Sequence, residues 1–326
     1  MSKVLGMGNA LVDIMTRLES DALLNDFKLP KGSMQLVDKN TAEFVINGTK
    51  HLEKQQTSGG SAANTIHGLA KLGVETSFIG TIGDDEFGSF FHDDLLKSNI
   101  KPSLFKGKAE SGRAIALVSP DSERTFATFL GAAIELSADH LTAEVFDNYH
   151  YFHIEGYLVQ NHDLIRKAVE LAKQKGLKVS LDLASFNVVE ANIDFLKELI
   201  VNHVDIVFAN EEEAKAFTGL QPEEALHEIA NNCEIAVVKI GKNGSLVKKD
   251  GVVYKIGVIK ANSIDTTGAG DVYASGFLYG LVHGLSLQKC GEIGALLSGN
   301  VIEVIGAKMS DEMWIKIRSQ ISEIVN

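Results

Sequence analysis

The sequence predicts an α/β fold: a three-layer α/β/α arrangement with a mostly parallel central sheet, plus a small second β-sheet. Three observations predict it. Strand and helix signals alternate along most of the 326 residues. Two stretches, about 10–50 and 102–130, break the alternation with short strands. Runs of small residues stand just ahead of two helices, at 58–64 and 265–271.

The alternation is read in chain order. Residues 3–8 form a short apolar strand. Over 61–72, Ala62, Ile66, Leu69 and Ala70 share one helical face, and Gly73 is a suitable stop. Strand 77–82 follows, then a helix marked by Phe87, Phe90, Phe91 and Leu95. Leu164, Ile165, Ala168, Leu171 and Ala172 mark another helix, closed by Gly176. Strands are expected at 178–183, 205–209 and 235–240. Such βαβ units imply parallel strands covered by helices on both faces.

The two irregular stretches are assigned to a β-sheet appendage acting as a lid on a single domain spanning 1–326; edge strands of the main sheet are the alternative. Residues 113–119 and 124–129 read as a hairpin around Pro120-Asp121-Ser122-Glu123. A second hairpin is expected around Asp250-Gly251.

Hydrophobic content of 45% and charge of 23% describe an ordinary globular chain. The N-terminal stretch lacks the features of a signal peptide, because Gly6, Gly8, Asn9 and Asp13 break it. No run of about 20 apolar residues is present, so no membrane partner is expected. Cys233 and Cys290 form no metal-ligand spacing, and a reducing cytoplasm is the expected location. A net charge of −12 argues against nucleic acid as a partner. An anionic nucleotide would then need a local positive site, such as a helix N-terminus, a magnesium ion or one well-placed arginine.

Asp265-Thr266-Thr267-Gly268-Ala269-Gly270-Asp271 supplies such a site. Small residues at a helix start leave N–H groups bare for a phosphoryl group, and glycines let it approach. A carboxylate there is unfavourable unless it takes a proton from an attacking hydroxyl, which makes Asp271 a candidate base. A first-turn aspartate favoured by the helix dipole is the plainer alternative. Ser58-Gly59-Gly60-Ser61-Ala62-Ala63-Asn64 opens the other helix. The Asn64 amide suits vicinal hydroxyls of a sugar; a tight turn with Ser61 as N-cap is the plainer reading. His150, His153 and His162 lack a carboxylate at zinc spacing and are read as surface or core residues.

These motifs, in this order and about 200 residues apart, resemble the two signatures of the ribokinase/PfkB carbohydrate kinase family. The resemblance covers nearly the whole chain and implies a ribokinase-like fold. It implies that Asp13, in Gly8-Asn9-Ala10-Leu11-Val12-Asp13, holds sugar hydroxyls together with Gly59, Gly60 and Asn64. Asn210-Glu211-Glu212-Glu213 matches the family's Asn-x-x-Glu motif, in which Asn210 and Glu213 organise magnesium and phosphates through water. From the residues alone, Asn210 reads as an N-cap. Gly241 and Gly244 resemble the family's nucleotide-binding turn, and Asn300 is placed with the ATP-binding residues. Gly268, Ala269 and Gly270 correspond to the anion hole, with Asp271 as the base. Arg124 is expected to reach the phosphate when the lid closes, or else to be an exposed lid charge. A monovalent cation is expected near Asp265 and Gly306.

The resemblance implies an ATP-dependent phosphotransferase acting on the alcohol group of a nucleoside or sugar, as a monomer or homodimer. Residues 154–158 and 182–185 look most like bacterial adenosine-kinase-like members, with Tyr157, Leu158 and Phe186 as candidates for a base wall. Thr267 departs from that pattern, where Asn is common. Adenosine is the expected acceptor, with a free sugar next. A non-catalytic sensor on this scaffold is disfavoured by the presence of Asp271 and Glu213. A dehydrogenase is excluded by the glycine spacing after the first strand, where Leu11 stands at the third glycine position.

Overall fold

The computed structural model describes residues 2–121 and 123–326; Ser122, expected in the hairpin turn, lies outside the described residues. Strand β1 (Val4–Met7) is followed at once by β2 (Leu11–Arg17), α1 (Ala22–Asp26), β3 (Met34–Leu36), α2 (Lys39–Gly48) and β4 (Lys54–Gly59). Helix α3 (Ser61–Lys71), β5 (Thr76–Ile82), α4 (Glu86–Lys97) and β6 (Ile100–Lys106) return to the βαβ rhythm. The hairpin β7 (Gly112–Val118) and β8 (Arg124–Phe129) interrupts it. Then come β9 (Tyr151–Glu155), α5 (His162–Gln174), β10 (Lys178–Asp182), α6 (Phe186–Ala191), α7 (Ile193–His203) and β11 (Ile206–Asn210). Helices α8 (Glu211–Thr218) and α9 (Pro222–Ile229) precede β12 (Ile235–Lys239), β13 (Ser245–Lys249) and β14 (Val252–Ile256). Three helices close the chain: α10 (Ala269–Val282), α11 (Leu287–Val301) and α12 (Asp311–Val325).

Nine strands form the main sheet in the order β14-β13-β12-β11-β10-β9-β1-β5-β6. All neighbours from β6 to β12 run parallel, and β13 alone runs the other way, antiparallel to both β12 and β14. Alternate residues of each strand feed two cores. Leu5, Phe152, Val179 and Val207 pack with α5, α7 and α9 on one face. Val4, Phe78, Phe208 and Val237 pack with α3 and α10 on the other. Burial on both faces explains why these strands read as continuous apolar runs.

The second sheet has the order β3-β8-β7-β2-β4. It confirms the expected small sheet and corrects its bounds. Strand β6 pairs with β5 in the main sheet, so the stretch from 102 to 106 belongs there. Its Pro102 obscures the strand in the sequence but is tolerated because β6 is an edge. The polar β4 extends the second sheet beyond residue 50, pairing with β2. The stretch 10–50 also contains a ten-residue helix, α2, capped by Asp38, which accepts from the Thr41 N–H at 2.8 Å. One face of this sheet, with Leu11, Asp13, Ala114, Phe126, Thr128, Met34 and Leu36, looks toward the main sheet across a cavity.

Candidate active site

Along the chain, β1 leads to β5 and β6 on one side, whereas β9 to β12 lie on the other. The order therefore reverses between β1 and β9, and a crevice opens beyond their carboxyl ends, the usual ligand position in an open α/β sheet. The cavity there measures about 1480 Å³. It is reached by the ends of β9 to β12, the first turns of α3 and α10, and the inner face of the second sheet.

Glu155, at the end of β9, ties this crevice together. It is 1% exposed and accepts from the Asn9 N–H at 3.0 Å, the Asn9 Nδ2 at 2.6 Å and the Ala62 N–H at 3.0 Å. It thereby joins the end of β1 to the first turn of α3. Burial raises its pKa to about 7, against those three hydrogen bonds. A Cβ on Gly60, whose φ is +100°, would lie 2.2 Å from the Asn9 carbonyl oxygen, so glycine is required for this close turn.

The starts of α3 and α10 meet at Asp271. The Ser61 hydroxyl donates to Asp271 Oδ1 at 2.7 Å and the Asn64 amide to Oδ2 at 2.9 Å. Ser61 is thus no N-cap; Gly60 occupies that position and Ser61 turns inward. Burial raises the Asp271 pKa to about 6, opposed by the hydrogen bonds from Asn64 and Ser61. Asn64 Oδ1 is buried without a hydrogen-bond partner among the described residues, so an acceptor faces the cavity. Asp13 also lines the cavity, and its side chain accepts no hydrogen bond from the described residues. Removal from bulk water raises it to about 7; Lys308 opposes this and the Asp271 charge adds to it. Gly59 does not line the cavity but makes room for Asp13, since a Cβ there would meet Oδ1 at 2.2 Å.

Gly268 caps α10 with φ +74°, in the left-handed region, against Ala307. Of the three N–H groups expected in the anion hole, that of Ala269 donates to the Thr266 carbonyl at 3.2 Å. The N–H groups of Gly268, Gly270 and Asp271 have no backbone partner among the described residues, which leaves three donors open at this helix start. Arg124 reaches this loop, but not as an open phosphate ligand. Its guanidinium is paired with Asp265 and donates to the Thr267 hydroxyl at 2.6 Å. It does not line the cavity. Asp265 also accepts from the N–H groups of Thr267 at 2.9 Å and Gly306 at 2.6 Å. A cation near Asp265 would therefore compete with Arg124 for the carboxylate or rely on backbone carbonyls.

Asn210 and Glu213 form a reciprocal capping box at the start of α8. Glu213 accepts from the Asn210 N–H at 2.7 Å and from its Nδ2 at 2.6 Å. Burial and Asp182 raise the Glu213 pKa, and Lys239 opposes them. With both carboxylate oxygens engaged, Glu213 fits a magnesium ion held through water rather than by direct ligation. Among the described residues no group of three or more His, Cys, Asp or Glu side chains could hold a metal directly. Gly241 and Gly244 line the cavity with φ of +53° and +92°. A Cβ on Gly244 would lie 1.9 Å from the Ile256 carbonyl oxygen. Asn300 is not brought to the cavity. It is 4% exposed and returns its amide to the Leu296 carbonyl one turn back. Phe186 is likewise off the cavity, whereas Tyr157 and Leu158 line it.

Two residues escaped the sequence reading. Lys239 ends β12, pairs with Asp182 at 2.8 Å and lines the cavity. Lys308 donates to Ser58 Oγ and Asp94 Oδ2, each at 2.6 Å. Only their position at strand and loop ends beside glycine motifs hinted at a role.

The model of the pfkB family carbohydrate kinases matches residues 37–313. A probable sugar kinase from Rhizobium etli CFN 42 is 34% identical, with a TM-score of 0.87 over 98% of this chain and 99% of that one. An adenosine kinase from Sinorhizobium meliloti is 32% identical, also with a TM-score of 0.87 and the same coverage. A 5-dehydro-2-deoxygluconokinase from Clostridium perfringens is 29% identical over 73% of this chain and 75% of its own length. Among the described residues no helix is long and apolar enough to cross a membrane. The chain belongs to the pfkB family of carbohydrate kinases, phosphotransferases that act on an alcohol group.

Proposed function

We propose that this kinase transfers the γ-phosphoryl group of ATP to the primary hydroxyl of a ribonucleoside, with adenosine the preferred acceptor. The observation that carries the reading is the apolar inner face of the second sheet. Ala114, next to Asp13 across β7, continues into Phe126, Met34 and Leu36 on β8 and β3, and Tyr157 lines the same cavity. Met34 and Leu36, 53% and 66% exposed, offer apolar surface to a ligand in the cavity. An aromatic base suits these walls, while Asp13 and Asn64 Oδ1 suit ribose hydroxyls.

In this reading Asp271 accepts the proton of the attacking hydroxyl, and the N–H groups of Gly268, Gly270 and Asp271 receive the transferring phosphoryl. Glu213 and Asn210 would hold magnesium through water, where it would offset the phosphate charge. The second sheet acts as a lid whose closure excludes water and suppresses ATP hydrolysis. A free sugar is the second reading, because Asp13 and Asn64 serve it equally well and a sugar-acid kinase is among the relatives. The test compares kcat/KM for adenosine, inosine and ribose under one set of conditions. Ribose or another free sugar winning by more than about tenfold, an energy near 1.4 kcal/mol, would discard the nucleoside.

A further inference from the structure

Lys239 has a position that the family motifs leave unexplained. It is the last residue of β12, its Cα is paired in register with Asn210, and its side chain is 15% exposed. The ammonium donates to Asp182 Oδ2 at 2.8 Å and makes no other hydrogen bond to the described residues. Two of its three donors are therefore free, and the side chain lines the cavity. A Cβ on Gly270 would lie 3.0 Å from Nζ. Gly270 has no positive φ, so what a side chain there would meet is this ammonium, which would have to give by a few tenths of an ångström. The ammonium thus lies against the first turn of α10, beside the bare N–H groups.

Charge completes the argument. Burial works against the ammonium, yet Asp182 and Glu213 outweigh it and raise its pKa, and Asp271 adds to them. Seven carboxylate side chains line the cavity against two lysines, Lys239 and Lys242; Lys242 is exposed, and Lys239 is the one that stands against Gly270. An incoming triphosphate would meet net negative charge there, and Lys239 is the side chain placed to offset it.

We propose that Lys239 is a phosphoryl-binding catalytic residue, held in the free enzyme by Asp182 and turned to the γ-phosphoryl oxygens during transfer. The acceptor oxygen forms a bond to the γ-phosphorus. The bond from that phosphorus to the β,γ-bridging oxygen breaks, and its electron pair leaves on ADP. The hydroxyl proton passes to Asp271, and Lys239 offsets charge on the equatorial oxygens without exchanging a proton. The proposal rests on phosphoryl transfer at this site and not on which acceptor is used.

The test measures kcat, both KM values and the affinity for ADP, with and without aluminium fluoride, in the presence of magnesium. We expect Lys239→Met to lower kcat by roughly 10²–10³-fold, as for loss of one oxyanion donor, with little change in acceptor KM. Aluminium fluoride, a mimic of the transferring group, should tighten ADP binding in the wild type and not in the variant. Lys239→Arg should restore part of both. If Lys239→Met leaves Asp182 unpaired and fails to fold, the double variant with Asp182→Asn removes the stranded charge and takes its place. Near wild-type kcat, or equal tightening by aluminium fluoride in wild type and variant, overturns the proposal, as does absence of tightening in the wild type. Inactivity toward every nucleoside and sugar alongside clear tightening would instead count against the acceptor reading alone.

Discussion

The Asn64 amide donates to Asp271 Oδ2 at 2.9 Å across 207 residues of sequence. The bond joins the first turns of two helices, each opened by small residues, and brings Asn64 to the Asp271 carboxylate. Asn64 then has one free acceptor, Oδ1, for a substrate hydroxyl. Under the proposed function, holding the base and orienting the acceptor would fall to the same side chain.

Replacing Asp271 by Asn keeps the shape and both neighbours but removes basicity. We expect kcat to fall roughly 10²–10⁴-fold with little change in either KM. Steady-state kinetics at saturating ATP checks this, and near wild-type turnover would end the assignment of Asp271 as base.

The pH profile follows from burial. A carboxylate raised to about 6 is protonated, and inactive as a base, below that pH, and free above it. The kcat/KM for the acceptor should therefore rise with pH through about 6 and level off. Asp13, raised to about 7, broadens the upper part of that limb. Asp13→Asn should leave a limb set by Asp271, near pH 6, at a lower plateau. A flat profile between pH 5 and 8, a window spanning ordinary and raised carboxylate values, would contradict the assignment.

Arg124 acts on the anion loop through Asp265, because both are buried and paired. Removing one partner of a buried pair costs about 3–5 kcal/mol, and the lower end applies because Thr267 and Gly306 still donate to Asp265. We expect Arg124→Ala to lower Tm and to cut kcat roughly 10²-fold by displacing the loop. A double-mutant cycle with Asp265→Asn separates positioning from direct contact with phosphate. Strong non-additivity supports positioning; additive losses would show that Arg124 works independently of Asp265.

Glu213→Gln should raise the magnesium concentration needed for half-maximal rate. It should also destabilise the fold by about 1–3 kcal/mol, because the new amide faces a donor from Asn210. A magnesium titration alongside calorimetry separates the two effects. Loss of stability with an unchanged titration leaves only the capping role.

The parts of the site legible in the sequence were those written locally. A helix start made of Gly-Ala-Gly-Asp carries its own N–H groups and its own carboxylate, so position along the chain suffices. Lys239 was not legible, because a strand-end lysine acquires its meaning only where Gly270 comes beside it. Glu155 stood in a family-like segment, but its grip on Asn9 and Ala62 depends on β1 and β9 being neighbours. Asn300 failed for the opposite reason: a polar residue near the right motif turned back on its own helix. In the second sheet, the turn at Pro120-Asp121-Ser122-Glu123 identified the strands β7 and β8 on either side of it, while the polar β4 offered no pattern to read.

Gly59 gives the sharpest test of the acceptor site, because it lies next to the cavity without lining it. The Cβ of an alanine there would stand 2.2 Å from Asp13 Oδ1 and 2.3 Å from its Cγ, so the carboxylate has to move. The nucleotide side, near Gly241, Gly244 and α8, is untouched by that change. We expect Gly59→Ala to lower kcat/KM for the acceptor roughly 10- to 100-fold, the loss of one charge-assisted hydrogen bond of about 1.5–3 kcal/mol. The KM for ATP should stay near its wild-type value. Deoxygenated acceptors add a second arm. If Asp13 binds a ribose hydroxyl, 2′- or 3′-deoxyadenosine should be poorer than adenosine in the wild type, since the missing hydroxyl leaves a buried acceptor unpaired. In Gly59→Ala that gap should close, because the displaced carboxylate no longer distinguishes them. A variant that keeps the full preference for adenosine over both deoxynucleosides would show that Asp13 is not the residue reading the sugar.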